Sequence, residues 1–185
     1  MSRPEMFNKK AAAKQSRPDN IIEKLALGPG MRVADIGSGG GYFALRFADA
    51  VGPGGTVYAV DTNEEFLGYI KKNALAKGLQ QVKTVLTPGD VVPLPDQSLD
   101  LLFSRNAYHH LEDRANYFSQ LKKLLKPSGK LVIIEHKGSG LFSWHRWFGH
   151  HTPKSLIINE LEQAGFRLVN DHSDLPKQHF LEFAL

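Results

Sequence analysis

The chain has 185 residues, of which 42% are hydrophobic, and this suits one domain of ordinary size with a full core. Its net charge of +4 lies in residues 1–17, where five basic side chains accompany one acidic one, so the neutral remainder argues against a basic nucleic-acid-binding domain. The absence of cysteine excludes disulfides and a thiolate nucleophile, and no apolar run approaches the ~18 residues of a membrane span. The N-terminus lacks the apolar stretch of a secretory signal, so we expect a cytoplasmic protein.

The first 17 residues are polar and basic, and they predict a flexible N-terminal arm because chain termini are usually poorly ordered. Met6 and Phe7 support a second interpretation, in which the arm closes over the functional site as a lid. We therefore predict two parts, a flexible basic arm over residues 1–17 and a single folded domain over residues 18–185.

Helix and strand signals alternate along the predicted domain. In chain order we predict a helix at 21–27, a strand at 32–36, a helix at 42–50, a strand at 57–60, a helix at 63–77, strands at 82–86 and 99–104, a helix at 113–125, a turn at 126–129, a strand at 130–135, a helix at 152–164, and strands at 166–170 and 179–184. This alternation predicts an α/β fold, with a seven-stranded, mostly parallel sheet and helices on both faces. Only eight residues, 171–178, separate the last two strands, so the last strand should be antiparallel.

A glycine run follows the first predicted strand, in the stretch Asp35-Ile36-Gly37-Ser38-Gly39-Gly40-Gly41. Glycines between a strand and a helix let the backbone approach a ligand closely, and such runs usually bind a nucleotide-like cofactor. The GxGxxG pattern of dinucleotide-binding proteins is incomplete, because Tyr42 or Ala44 stands at its last position. A carboxylate at Asp35 would also lie unfavourably near a pyrophosphate, so the run suits a cationic ligand better.

These residues resemble motif I of the class I S-adenosylmethionine-dependent methyltransferases, and further features follow at the family's spacing. Asp61 ends the second strand, 20 residues beyond the glycine run, where an acid of the family holds the ribose hydroxyls. Gly89-Asp90 resembles the adenine-contacting pair of the family. The stretches at 96–102 and 125–130 resemble the motifs that lead into the family's fourth and fifth strands. The resemblance extends over the whole predicted domain.

The resemblance implies a Rossmann-like fold, S-adenosylmethionine as the cofactor and S-adenosylhomocysteine as its product. The implied cofactor-binding residues are Asp35, Gly37, Ser38, Gly39, Asp61, Thr62, Asp90, Val91 and Arg105. A carboxylate such as Asp61 can accept both ribose hydroxyl hydrogens, and Asp90 can accept from an exocyclic amine or cap its turn. Asp35 would lie near the methionine end of the cofactor, where it anchors water or the amino group, and it can also cap the loop.

Tyr108, His109 and His110 follow the fourth strand, where the family places residues over the transferred methyl group. We predict them as catalytic candidates because a histidine can accept a proton near neutral pH, although one of the pair could instead cap or pack against the next helix. Arg105-Asn106, just before them, is similar to quinone-biosynthesis C-methyltransferases. The Asn/Asp-Pro-Pro-Tyr/Phe pattern of enzymes that methylate amino groups is missing, and no cysteine is present to attack pyrimidine C5. Both absences argue against a nucleic-acid acceptor.

Residues 135–151 hold both tryptophans and four of the eight histidines of the chain. They lie where the family inserts a segment that covers the acceptor, and aromatic side chains there predict a pocket for a flat or apolar small molecule. The predicted substrate-binding residues are Asn106, Trp144, His145 and Trp147. A metal site at His145, His150 and His151 and contact of the aromatic cluster with a membrane surface are weaker alternatives, and we predict no metal.

These features predict an S-adenosylmethionine-dependent methyltransferase that acts on a small organic acceptor, as a monomer or homodimer. Two alternatives stay open. The basic arm could recruit a nucleic acid or a protein as the acceptor, or the chain could bind the cofactor without transferring its methyl group.

Overall fold

The computed structural model describes residues 1–89, 91–137 and 152–185. Contacts between residues divide the chain into two compact units, Met1–Pro93 and Leu94–Leu185. None of the helices in the described ranges combines the length and the apolar character needed to cross a membrane.

The described residues of the first unit form three strands and four α-helices. Its elements are α1 (Arg3–Ala12), a 3-10 turn (Lys14–Ser16), α2 (Pro18–Leu25), β1 (Arg32–Ile36), α3 (Tyr42–Val51), β2 (Thr56–Asp61), α4 (Glu64–Ala76) and β3 (Val82–Leu86). The three strands are parallel and lie in the order β3-β2-β1, with Val57 of β2 paired to Val33 on one side and to Val82 on the other. The carboxyl ends of β1 and β2 therefore meet at one edge of the sheet.

Apolar patterns in the sequence explain why this edge is held firmly. The central run Val57–Val60 of β2 is buried throughout, as expected of a parallel strand that is covered on both faces. Helix α3 buries Phe43, Phe47 and Val51, which lie four residues apart and therefore share one face. Burial of each such side chain contributes roughly 1.5–3 kcal/mol, so the strand ends rest on a rigid core.

The described residues of the second unit form four strands and two α-helices. Its elements are β4 (Leu99–Arg105), a 3-10 turn (Tyr108–His110), α5 (Arg114–Lys122), β5 (Leu125–His136), α6 (Lys154–Gln163), β6 (Arg167–His172) and β7 (Gln178–Ala184). The strands lie in the order β4-β5-β7-β6. Strand β5 is parallel to β4, whereas β7 runs antiparallel to both β5 and β6. The buried Ile133 of β5 pairs with Ser104 on one side and with Leu181 on the other.

The predicted fold class is confirmed, because the described residues contain seven strands, most of them parallel, and the last strand is reversed. The predicted turn at 126–129 is wrong, since these residues belong to β5. There the pairing changes from Leu99 with Leu125 to Leu101 with Lys130, so four residues of β5 stand opposite a single residue of β4. The four residues form a bulge in the pairing of β5 with β4. The proline among them cannot donate a hydrogen bond to the neighbouring strand, but the strand continues beyond it.

Helix α1 over residues 3–12 was not predicted from the sequence. It begins with a capping box, in which the Glu5 N–H donates to Ser2 Oγ at 3.4 Å and the Ser2 N–H donates to Glu5 Oε2 at 2.8 Å. A Ser-x-x-Glu pattern with a proline in the first turn is a helix-start signal, and the sequence carries it. The flexibility of residues 1–17 and the single domain over residues 18–185 stay predictions.

Candidate active site

The glycine run connects β1 to α3 and is tied to the end of β2. The N–H groups of Gly37 and Ser38 donate to the Val60 carbonyl oxygen at 2.9 and 3.0 Å. Gly37, Gly39 and Gly41 have φ angles of 72°, 55° and 78°, in the left-handed region that favours glycine. These three glycines are therefore required by the backbone itself, which forms a tight loop at the carboxyl edge of β1 and β2.

Asp61 lies at the carboxyl end of β2, within reach of this loop. Its Oδ2 accepts a hydrogen bond from the Gly39 N–H at 2.8 Å, and its Oδ1 accepts one from the Asn63 N–H at 3.0 Å. Two backbone donors thus orient a half-buried carboxylate, and each oxygen retains a lone pair for a further donor. A pair of neighbouring hydroxyls, such as those of a ribose, matches this arrangement.

Two polar side chains of this region bear on whether the residues present fit the cofactor that the sequence implies. Ser38 Oγ is buried and has no hydrogen-bond partner among the described residues. Asp35 is only 3% exposed at the end of β1. A buried hydroxyl without a partner is destabilising, and a polar ligand that binds there relieves that penalty. A carboxylate this close to the loop suits a ligand with positive charge better than one with negative charge, so the residues present fit S-adenosylmethionine.

The chain after β3 contributes a further segment to the first unit. A Cβ placed on Gly89 would lie 3.7 Å from the exposed Thr62, so the predicted residue next to Asp61 contacts this segment. The buried Thr87 holds the segment, because its Oγ1 accepts from the Gly89 N–H at 3.2 Å and donates to the Val91 carbonyl oxygen. The Val91 side chain is 58% exposed. Asp90, predicted to contact adenine, lies outside the described residues.

In the second unit, the side-chain amide of Gln178 makes hydrogen bonds to two of the predicted site residues. Arg105 Nη2 donates to Gln178 Oε1 at 2.9 Å, and Gln178 Nε2 donates to Asn106 Oδ1. Arg105 was predicted to bind the cofactor and Asn106 to bind the acceptor. Gln178, which is buried at the start of β7, was missed, and only its polar character at the start of an apolar strand marks it in the sequence. Asn106 has a φ of 55°, a conformation that asparagine tolerates better than most residues.

Tyr108 has the contacts of a core residue. It is fully buried, its ring stacks on Phe118 with the ring centroids 5.4 Å apart, and its hydroxyl donates to Glu160 Oε2 at 2.6 Å. Burial raises the pKa of Tyr108 well above its ordinary value, and the hydrogen bond to Glu160 raises it further. The same carboxylate accepts two hydrogen bonds of 2.8 Å from the guanidinium of Arg114. These contacts favour a packing role for Tyr108 over proton transfer.

His109 lies in the 3-10 turn after β4 and contacts the carboxylate of Glu135. Its Nδ1 is 3.0 Å from Glu135 Oε2, and its backbone N–H donates to the same oxygen at 3.4 Å. Glu135 Oε1 accepts from the His136 N–H at 2.8 Å. The Glu135 side chain is fully buried, and only 7% of the His109 side chain is exposed. An oxygen acceptor at Nδ1 favours the tautomer that carries its proton there, which leaves the lone pair on Nε2.

Glu135 was missed as a functional residue, although the sequence gives a signal for it. An acid that ends a run of buried β-branched residues, Val132–Ile134, is unusual, because carboxylates are seldom fully buried without partners. His110, the neighbour of His109 in the 3-10 turn, is exposed, and the two imidazole rings have their centroids 3.9 Å apart. The structure therefore distinguishes the two histidines, since the His109 side chain is largely buried against the Glu135 carboxylate and His110 is exposed.

Several predicted site residues lie outside the described ranges. They are Trp144, His145 and Trp147, together with His150 and His151 of the alternative metal site. Within the described ranges, no group of three or more acidic or histidine side chains could hold a metal ion. The absence of a metal stays a prediction, because most of the histidine-rich segment is not covered.

Comparison with known proteins identifies the family of this chain. A family model described as "Methyltransferase domain" matches residues 27–174, which is most of the chain. The chain belongs to the class I S-adenosylmethionine-dependent methyltransferases. The resemblance noted in the sequence is therefore confirmed, and S-adenosylmethionine is the cofactor of this family.

The names of two curated relatives refer to methylation in quinone biosynthesis or of demethylmenaquinone. The ubiquinone/menaquinone biosynthesis C-methyltransferase UbiE of Bordetella parapertussis is 32% identical over 154 residues, which cover 82% of this chain and 56% of that protein. The demethylmenaquinone methyltransferase of Geobacillus kaustophilus is 26% identical over 130 residues, which cover 70% of this chain and 56% of that protein. The chain thus spans about half the length of these curated relatives.

A solved structure supports the fold over nearly the whole chain. It is an S-adenosylmethionine-dependent methyltransferase from Aquifex aeolicus, which superposes with a TM-score of 0.85 at 24% identity. The superposition covers 99% of this chain and 98% of the other. The α/β fold found here is therefore the Rossmann-like fold of these enzymes.

Proposed function

We propose that this protein transfers a methyl group from S-adenosylmethionine to a small organic acceptor, and that the acceptor is a flat ring of the quinone-precursor class. The observation that carries the proposal is the contact between the glycine loop and Asp61, which presents an oriented carboxylate at the carboxyl edge of β1 and β2. Family membership supports methyl transfer, and the names of the two relatives support an acceptor of the quinone-precursor class.

The cofactor-binding roles follow from the chemistry of each side chain in the first unit. Asp61 accepts hydrogen bonds from the two ribose hydroxyls while Gly39 and Asn63 keep its oxygens in place. Ser38 Oγ gains a polar partner, and Asp35 supplies negative charge toward the methionine end. S-adenosylmethionine supplies an electrophilic methyl group on a sulfonium and leaves as S-adenosylhomocysteine.

His109 is our candidate for the general base. With its Nδ1 proton shared with Glu135, its Nε2 accepts the proton that the acceptor loses as the new bond to the methyl group forms. The buried Glu135 orients the imidazole and stabilises the imidazolium that results. His110, which is exposed, flanks this pair, and its ring centroid lies 3.9 Å from that of His109. We assign Tyr108 to packing.

For the acceptor we propose contact with Asn106, held by Gln178, and with Trp144, His145 and Trp147, whose aromatic rings suit a flat molecule. Arg105 stays a candidate for the cofactor side, because Gln178 already holds its guanidinium in one orientation. We further propose that the protein works in the cytoplasm as a monomer or homodimer, without a metal and without a nucleic-acid partner.

The cofactor step is tested by calorimetry with S-adenosylmethionine and with NAD. We expect binding of S-adenosylmethionine, no binding of NAD, and a loss of affinity in Asp61→Ala. Binding of NAD alone, or an Asp61→Ala variant that binds as tightly as the wild type, would overturn the proposal.

The transfer step is tested with S-adenosylmethionine carrying a labelled methyl group and three acceptor pools, which are a demethylated quinone precursor, a cell metabolite extract, and cellular RNA with protein. We expect a labelled ring product that forms with the wild type and not with His109→Ala. Label in RNA or protein instead would favour recruitment through residues 1–17. No labelled product from any pool, despite cofactor binding, would favour a module that binds without transfer.

A further inference from the structure

Helix α1 contacts the glycine loop directly. The side-chain amide of Asn8 makes two hydrogen bonds to it, because Nδ2 donates to the Gly40 carbonyl oxygen at 2.8 Å and Oδ1 accepts from the Tyr42 N–H at 3.1 Å. Pro4 of the same helix is buried. One side chain of α1 therefore fixes the orientation of both peptide groups that lead from the loop into α3.

The amide of Asn8 supplies a cap that α3 cannot provide for itself. Gly41 stands at the N-cap position of α3 and has no side chain to accept from the first free N–H groups of the helix. Asn8 Oδ1 takes that place from 34 residues earlier in the chain. The start of α3 and the conformation of the loop thus depend on α1.

The fit of α1 also explains why residue 40 is glycine. A Cβ at Gly40 would overlap the Pro4 carbonyl oxygen and the Asn8 side chain, and these are the atoms nearest to that position. Gly40 lacks the positive φ of its neighbours Gly39 and Gly41. The glycine at position 40 is therefore needed to admit α1, whereas the others are needed for the turn.

Aromatic contacts hold α1 against the glycine loop. The Phe7 ring packs edge-on against Phe66 of α4 with ring centroids 5.6 Å apart, and the Arg3 guanidinium lies 5.5 Å from the centre of the Phe66 ring. A Cβ at Gly39 would lie 3.5 Å from Phe7, so the ring also covers the loop. Because the family match begins at residue 27, nothing in that match assigns a role to α1.

We propose that α1 is a clamp that holds the glycine loop in its cofactor-binding conformation, with Asn8 as the positioning residue. The clamp acts on the loop whose Gly39 N–H donates to Asp61. If α1 leaves the loop, the Asp61 carboxylate loses one of its two backbone donors. The inference rests on the proposed function and adds a part of the cofactor site to it. Since coupling between two sites is reciprocal, bound cofactor in turn holds α1 in place.

The test uses full-length variants and two measurements, the Kd for S-adenosylmethionine by calorimetry and the hydrogen exchange of the Tyr42 N–H and of α1. Gly40→Ala adds one methyl group whose three nearest neighbouring atoms all belong to α1, and Asn8→Ala removes both hydrogen bonds. We expect each variant to raise the Kd about tenfold and to speed exchange at Tyr42, which corresponds to the loss of about one hydrogen bond. Gly54→Ala is the matched control, because a Cβ there meets nothing within 4 Å.

A second pair of variants separates displacement of α1 from direct contact between the new methyl group and the cofactor. In a Phe7→Ser/Asn8→Ala background, which unseats α1, Gly40→Ala should raise the Kd no further. A further tenfold loss in that background would mean that the methyl group meets the ligand, and it would overturn the clamp. Tighter binding in Gly40→Ala would overturn it too, because α1 would then obstruct the site.

The outcomes also separate this inference from the proposed function. If the wild type binds S-adenosylmethionine and the variants bind equally well despite faster exchange at Tyr42, the clamp alone is overturned. If the wild type does not bind S-adenosylmethionine, the proposed function is overturned and the clamp with it. Faster release of S-adenosylmethionine in Asn8→Ala, at unchanged thermal stability, would support a positioning role over a merely structural one.

Discussion

Glu135 Oε2 lies 3.0 Å from His109 Nδ1 and also accepts from the His109 backbone N–H. The carboxylate is fully buried, and with the His136 N–H on its second oxygen it has three hydrogen-bond donors. Such donors compensate for the loss of water around a buried charge. The pair therefore fixes one imidazole of the Tyr108–His110 turn in position and in tautomer.

Replacing Glu135 with glutamine should slow methyl transfer about tenfold or more and leave the Kd for S-adenosylmethionine unchanged. The amide retains the shape of the side chain, but one of its two sides can no longer accept from the donors that surround it. The measurements are a methyl-transfer assay and long-range nitrogen NMR of the His109 ring, in which the Nδ1–H tautomer should lose population. Glu162→Gln, the same change at an exposed position, is the control, and a wild-type NMR pattern in Glu135→Gln would refute the role of Glu135.

Replacing Asp61 with alanine should weaken binding of S-adenosylmethionine by roughly 10–100-fold, because hydrogen bonds to a charged group contribute about 1.5–3 kcal/mol. Calorimetry measures the Kd directly. Asp49→Ala makes the same change of charge at an exposed position of α3 and should leave the Kd unaltered. Equal losses in both variants would indicate a general electrostatic effect and not a ribose contact.

Removing the hydroxyl of Tyr108 should affect stability and spare catalysis. Tyr108→Phe keeps the stacking on Phe118 and loses the hydrogen bond to Glu160, so the free energy of unfolding should fall by about 1 kcal/mol. Chemical denaturation measures the free energy of unfolding, and the methyl-transfer assay measures kcat. A large fall in kcat with unchanged stability would restore Tyr108 as a catalytic candidate.

The stability contributed by Glu160 should depend on pH. Burial by itself would raise the pKa of Glu160, but hydrogen bonds from Arg114 and Tyr108 outweigh it and lower the pKa below its ordinary value. A carboxylate with a lowered pKa contributes stability above about pH 4.5, and that contribution is lost as the pH falls through the lowered pKa. The difference in unfolding free energy between the wild type and Glu160→Gln should therefore shrink between pH 7 and pH 3.

Denaturation at a series of pH values measures this difference. Glu162→Gln, on the exposed side of the same helix, is the matched control and should differ little from the wild type at every pH. A constant gap between Glu160→Gln and the wild type would contradict the assignment of the pKa shift to the Arg114 and Tyr108 contacts.

Much of the first unit could be predicted from the sequence, because its signals are local. Strand β1, the glycine run and the acid at the end of β2 lie in one short stretch, and apolar runs with glycine between them determine the backbone there. The start signal of α1 was also local, but the polar and basic composition of residues 1–17 outweighed its Ser-x-x-Glu pattern, so the helix was not predicted. The sequence predicts a turn at 126–129 and not a bulge, because a proline and a glycine do not by themselves show whether a strand resumes its pairing.

The sequence by itself determined the alternation of strands and helices, the loop at the end of β1, and the carboxylate of Asp61, since periodicity and glycine conformation act over a few residues. Only the tertiary structure decided which side chains meet. Asn8 reaches Gly40 across 32 positions, and His109 reaches Glu135 across 26. Such contacts depend on the packing of whole elements, so local patterns carry no record of them, and the positioning roles of Asn8 and Glu135 are assigned from the fold.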